Sequence, residues 1–249
     1  MTRPKFDFYE RERNRELKRI VEETGRDFTQ LDMMEKLRES LSRGMDTQKN
    51  NPLSEGKEME SYFYELAKFL MSNFVIEKGD CIYEFADIEF YYYSPLHKDI
   101  TTYPRHMEAG RFFFHNSGVD VTFQSVKYLD EKELIDPEIS EFGGILIKGL
   151  NKREKDGKLT KIIGPLKCVE ALWDEFNALE RDEREYPVIV YREVETDEII
   201  AKKRHYKVEE NKKIAKVTSL NKQYSGINYS WENLSYFLDL KYRFIRKDF

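Results

Sequence analysis

An α+β fold is predicted from three features of the sequence. Segments with two-residue alternation lie beside segments with apolar residues three or four apart, and the two kinds do not alternate as regular βαβ units. Aromatic residues make up 14% of the chain, nearly all Phe and Tyr with two Trp, a composition that suits strands. The chain is 249 residues long and 40% hydrophobic, enough to bury a sizeable core in one large domain or two small ones.

The elements follow in chain order. Residues 1–50 read as two charged helices joined near Gly25; in the second, Phe28, Leu31, Met34, Leu37 and Leu41 form one apolar face. Gly44 and the polar run MDTQKNNP end that pattern. EMESYFYELAKFLMSNFVIEKGD begins as a helix and ends as a strand before Gly79. CIYEFADIEFYYYS is a strand on which Tyr83, Phe85, Asp87 and Glu89 share a face. GRFFFHNSGVDVTFQSV reads as two strands around a turn at Asn116-Ser117-Gly118. GGILIKGL is a buried strand, and GPLKCVEALWDEFNAL is a helix with Pro165 near its first position, where the missing N–H costs nothing. YPVIVYREV, KVTSL and the alternating YFLDLKYRFIRK are expected to be strands. The division expected is an N-terminal charged helical extension over 1–55 and an α+β domain over 56–249.

Charged residues are 36% of the chain and the net charge is −5, the wrong overall sign for a nucleic-acid binder. The distribution is uneven, with twelve Lys/Arg against five Asp/Glu in residues 201–249. That basic block, with Lys202, Lys203 and Arg204 as its densest run, is where phosphate contacts are expected. No run approaches the ~18 apolar residues of a membrane span. The first residues lack an apolar signal core, and Cys81 and Cys168 stand in no ligand spacing. A cytoplasmic protein with reduced thiols and no membrane contact is the expectation.

The stretch DIEFYYYSPLHKD, residues 87–99, carries the chemistry. Glu89 beside aromatic surface suits a general acid or base, and Asp87 shares its face. Tyr91, Tyr92 and Tyr93 cover a sheet edge or receive a flat ligand, since stacking on an aromatic ring is worth roughly 1–3 kcal/mol per base. His97, His106 and His115 stand nine apart, which is not a helical metal-ligand spacing, and no metal is expected. Phosphate-loop, nucleophile-elbow and dinucleotide motifs are lacking.

In the order LAKFLMSNFVIEK, CIYEFADIEFY, HKDITTYPRHMEAGRFFFHNSG, GGILIKGL and GPLKCVEALWD, the chain resembles the alkyladenine (3-methyladenine) DNA glycosylase family over about residues 64–178. KYRF near the end is similar to that family's closing strand. The resemblance implies a curved, mainly antiparallel sheet with surrounding helices. It also implies hydrolysis of the N-glycosidic bond of a modified purine in nucleic acid, DNA rather than RNA, without metal or organic cofactor. It puts the general base at Glu89 and the aromatic that stacks on the flipped base at Tyr91. His97 would back the base, Phe114 would cover its other side, and Lys148 would stand at the family's arginine. Asp87 takes the place of the family's first glutamate. Ser117 falls where the family has an intercalating tyrosine, so extraction of a paired base from a duplex should be poor. Two other readings stay open. One is a catalytically inactive module on the same fold that binds a nucleotide, single-stranded nucleic acid or protein. The other is an interaction protein working through the apolar face of residues 28–41.

Overall fold

Side chains alternate along a strand, and the longest one here, β2 (Cys81–Ser94), uses that alternation to serve two faces. Phe90 points to one side and stacks on Phe63, ring centroids 4.6 Å apart. The odd-numbered residues point the other way: the Tyr83 hydroxyl donates to the carbonyl of Ala171, and Glu89 and Tyr91 face a cavity. The computed structural model describes residues 4–25, 27–42, 56–126, 135–174, 186–206, 208–224 and 226–249. They form two compact units, 1–40 and 41–249. The expected end of the helical pattern at Gly44 and 45–52 lies outside the described residues.

In the first unit, α1 (Pro4–Thr24) ends at Gly25, whose φ of +67° suits a residue without a Cβ. Its N–H donates to the Val21 carbonyl. Asp27 then starts α2 (Phe28–Ser42), its Oδ1 accepting from the Gln30 N–H at 2.9 Å. Arg13 joins the two helices through Asp32 at 3.1 Å and Glu39 at 3.4 Å.

In the second unit, α3 (Gly56–Asn73) buries Phe63, Leu66, Ala67, Leu70 and Met71, the i, i+3, i+4 face of an amphipathic helix. β1 (Phe74–Lys78) follows directly and pairs with the first half of β2. β3 (His97–Lys98) folds back on the end of β2. A hairpin, β4 (Phe112–His115) and β5 (Gly118–Thr122), lies at one edge of the sheet. β6 (Phe142–Arg153) pairs with β5 and runs along nearly all of β2. β7 (Leu159–Ile163) flanks the second half of β6, and α4 (Pro165–Leu172) follows with Pro165 in its first turn. β8 (Val188–Tyr191) joins β1. β9 (Ile199–Lys202) pairs with β10 (Arg243–Arg246), which pairs with the middle of β2. All of these pairings are antiparallel, so the α+β class and the antiparallel sheet hold.

Two expected strands are helices. KVTSL lies in α5 (Lys213–Asn221), and YFLD lies in α6 (Trp231–Asp239), leaving a strand for RFIR alone. The β-branched Val217 and Thr218 suggest a strand, but burying Val217 together with Leu220 requires a three-residue spacing. α6 carries a start signal in its sequence. Ser230 Oγ accepts from the Asn233 N–H, and Asn233 Oδ1 accepts from the Ser230 N–H, a reciprocal cap that precedes buried Leu234 and Phe237. Leu220 and Leu234 join Tyr93, Ile100, Phe142 and Tyr224 in a second core. No described helix is long and apolar enough to cross a membrane.

Candidate functional site

Partners in an antiparallel ladder point the same way, so pairing carries one face across the sheet as a row. Asp120 of β5 lies opposite Leu146 of β6, Leu146 opposite Glu89 of β2, Glu89 opposite Arg243 of β10, and Arg243 opposite Lys202 of β9. Asp120, Leu146 and Glu89 form the floor of a cavity of about 290 Å³. Thr101, Tyr103 and Ser117 line one side of it, and His205, Tyr206, Lys216 and Leu220 line another.

Glu89 is 2% exposed and saturated with donors. Lys148 Nζ is 2.5 Å from its Oε1, the Tyr91 hydroxyl donates to Oε2 at 2.9 Å, and the His205 N–H approaches Oε1 at 3.5 Å. Burial, and next the Glu89 carboxylate, push the Tyr91 phenol well above its ordinary pKa, which keeps it a donor. The expected group of Glu89, Tyr91 and Lys148 is therefore assembled on one cavity wall.

The other expected residues lie elsewhere. Asp87 takes both ends of the Arg243 guanidinium, at 3.0 and 2.7 Å, and does not line the cavity. His97 is buried and committed on both nitrogens, Nδ1 to the Tyr92 carbonyl at 2.9 Å and Nε2 to the Tyr242 hydroxyl at 2.8 Å. It is a structural cross-link rather than a cavity wall. Phe114 is 51% exposed, with its ring edge-on to Trp173 at 4.6 Å. Alternation along β4 explains this placement: Phe112 and Phe114 meet Trp173, while His115 reaches the cavity.

Of the run expected to meet phosphates, Lys202 is exposed and Lys203 pairs with Asp239 at 2.7 Å. Arg204 is buried. It pairs with Asp99 at 2.7 Å, donates to the Phe237 carbonyl at 2.9 Å and lies over the Tyr91 ring at 4.6 Å. It holds the sheet and the chain leading to His205 together and presents nothing to a phosphate chain.

The cavity also contains residues that the linear pattern hid. His115 Nε2 lies 2.9 Å from Asp120 Oδ1, and Arg105 Nη1 donates to Asp120 Oδ2 at 2.5 Å. His115 Nδ1 accepts from the Ser117 N–H at 3.2 Å, so the proton of the neutral ring is on Nε2, toward Asp120. Arg105 and Asp120 are wholly buried, and Arg105 fits only because Gly144 lies beneath it; a Cβ there would meet Arg105 Nη1 and come within 2.9 Å of Asp120 Cβ. The closeness of His115 and Asp120 follows from the hairpin turn and was accessible from FHNSGVD. The presence of Lys216 and Leu220 in the wall depends on α5 and was not.

Cys81 and Cys168 are free thiols. Burial, and then the nearby Asp87, push the Cys168 thiol up to about 12, which leaves it protonated and unreactive. Among the described residues no group of three or more His, Cys, Asp or Glu could hold a metal ion. Comparison with family models, with curated proteins and with solved structures finds no match to the chain.

Proposed function

We propose that the cavity receives one unstacked modified purine nucleotide and that its N-glycosidic bond is hydrolysed there, with Glu89 as the acting carboxylate. The observation behind this reading is a buried carboxylate on the floor of a base-sized cavity, backed by a lysine and a tyrosine hydroxyl. Cleavage of a glycosidic bond passes through a cation-like sugar, so a fixed carboxylate stabilises the developing charge and orients the attacking water. Asp120 and the Tyr103 hydroxyl offer an acceptor and a donor for the edge of a base, while the Thr101 hydroxyl is committed to Asp99. Ser117, at the cavity wall where an intercalating aromatic would be needed, fits a substrate that is already unpaired.

The test is excision from oligonucleotides carrying hypoxanthine, ethenoadenine or alkylated adenine, single-stranded and annealed. Glu89→Gln should keep base binding and lose turnover by about 10² or more, the range for removing a general base. Turnover of Glu89→Gln within tenfold of wild type would overturn the role.

A second reading, binding without hydrolysis, is favoured by one observation. Both Glu89 oxygens already accept, one from Lys148 and one from Tyr91, so a water must share a carboxylate that is in use. Binding of a modified nucleoside with no turnover in wild type would select it.

A further inference from the structure

We infer that the ligand of this cavity is a free nucleoside 5′-monophosphate, with its phosphate held at the cavity mouth by Lys216 and His205. The inference rests on the nucleotide reading above and narrows it from a nucleotide in any setting to one outside a polymer.

The first argument is the distribution of charge. Two carboxylates line the cavity, and both are matched within the protein: Glu89 by Lys148, and Asp120 by Arg105 and His115. Lys216 and His205 also line it, yet neither has a carboxylate partner among the described residues, and both are exposed whereas Glu89 and Asp120 are not. The charge without a carboxylate partner is thus that of Lys216, at the solvent end, with the acceptors at the deep end. A phosphate monoester carries roughly −1.5 to −2 charges at pH 7 and fits the first; the N–H groups of a purine fit the second. Thr102 adds a wall residue whose buried Oγ1 has no hydrogen-bond partner among the described residues.

The second argument concerns a polymer. A nucleic-acid strand needs a line of cations at successive phosphates. The densest basic run does not supply one, because Arg204 is buried on Asp99 and Lys203 is engaged by Asp239. A cavity of about 290 Å³ also stands at the small end of ligand sites, which run from about 300 to 1,000 Å³.

The experiment is calorimetric titration of the full chain with inosine 5′-monophosphate, inosine, inorganic phosphate and a single-stranded oligonucleotide with one hypoxanthine. The monophosphate should bind at least tenfold more tightly than inosine. Lys216→Ala and His205→Ala should each remove most of that difference, weakening the monophosphate more than inosine. Lys222→Ala, just past the end of the same helix and outside the cavity, should change neither. Equal affinity for the monophosphate and inosine would overturn the phosphate seat and leave the base cavity standing. An oligonucleotide that binds more tightly than the monophosphate would overturn the free-ligand assignment. Failure of all base-bearing ligands to bind, or phosphate binding as tightly as the monophosphate, would sink this inference and the nucleotide reading together.

Discussion

Lys148 Nζ lies 2.5 Å from Glu89 Oε1, and the lysine sits at an irregularity in the central ladder. Asp87 pairs with Gly149 and Ile88 with Ile147, so Lys148 has no partner between them. It stands two residues from Leu146, the cross-strand partner of Glu89, and therefore on the same face. A lysine in place of an arginine presents a point charge to one oxygen and leaves the other for Tyr91.

Lys148→Met should therefore be destabilising. It leaves a carboxylate that is 2% exposed with the Tyr91 hydroxyl at 2.9 Å, the His205 N–H at 3.5 Å and Arg243 at 3.9 Å as its remaining donors. Breaking a buried pair costs ~3–5 kcal/mol, and the partial exposure of Lys148 puts this case at the lower end. Glu89→Gln combined with Lys148→Met should recover part of the loss, because the charge that needed compensation is gone. Urea unfolding of the two single variants and the double variant measures this as a coupling, and additive losses would show that the pair acts independently.

Arg204 makes an opposite claim on the basic block. Arg204→Met should cost ~3–5 kcal/mol in unfolding free energy, since it leaves Asp99 buried without its cation. Arg204→Lys should recover only part, because one ammonium cannot reach Asp99, the Phe237 carbonyl and the Tyr91 ring together. Lys202→Ala, one strand position from the core, should change stability by less than ~0.5 kcal/mol. If Arg204→Met unfolded at the wild-type midpoint, Arg204 would not be structural.

These residues show how far the sequence could be read. Alternation in CIYEFADIEFYYYS was enough to put Glu89 and Tyr91 on one face, and the apolar spacing of residues 28–41 was enough for a helix. Which of three consecutive phenylalanines faces inward was not legible, because it depends on the hairpin register: Phe114 pairs with Val119 and faces Trp173. His97 and Arg204 look like surface chemistry in one dimension. Their burial depends on Tyr242, Phe237 and Asp99, which are distant in sequence or on another element. KVTSL was misread because its β-branched Val217 and Thr218 outweighed the three-residue spacing of Val217 and Leu220, and YFLDLKYRFIRK because its alternating pattern runs from the end of a helix into a strand.

His97 should make stability fall in mild acid. Burial first lowers its pKa below the ordinary 6.5, against the raising influence of Asp99 and of the Tyr92 carbonyl. Between the lowered folded value and the unfolded value the unfolded chain binds more protons, so stability rises with pH across that window and is lost as pH falls below about 6.5. Denaturant unfolding at pH 7.5 and at pH 5.5 should show a larger loss for wild type than for His97→Gln, which has no proton to take up. Equal losses would mean that carboxylates alone set the acid response.

Gly144 gives a test of the buried relay behind the cavity. It pairs with Tyr91 on one side and Thr122 on the other, at the centre of the sheet. The missing side chain leaves room for the Arg105 guanidinium to lie across the strand and reach Asp120. Neither neighbour can yield easily. Arg105 is also held by the Tyr103 carbonyl at 3.0 Å and lies over the Phe113 ring at 4.3 Å, and Asp120 is held by His115. One methyl at this position therefore forces the pair apart. Overpacking of this kind costs typically 1–3 kcal/mol, and a chain of this size loses ~2–4 °C in Tm per kcal/mol. Gly144→Ala should lower Tm by roughly 2–12 °C. It should also shift the His115 ring resonances in an NMR spectrum, because Asp120 fixes that ring from one side and Ser117 from the other. A lower Tm with unmoved His115 resonances would mean that the sheet absorbed the methyl and the relay survived. An unchanged Tm would mean that Arg105 has room the structure does not give it.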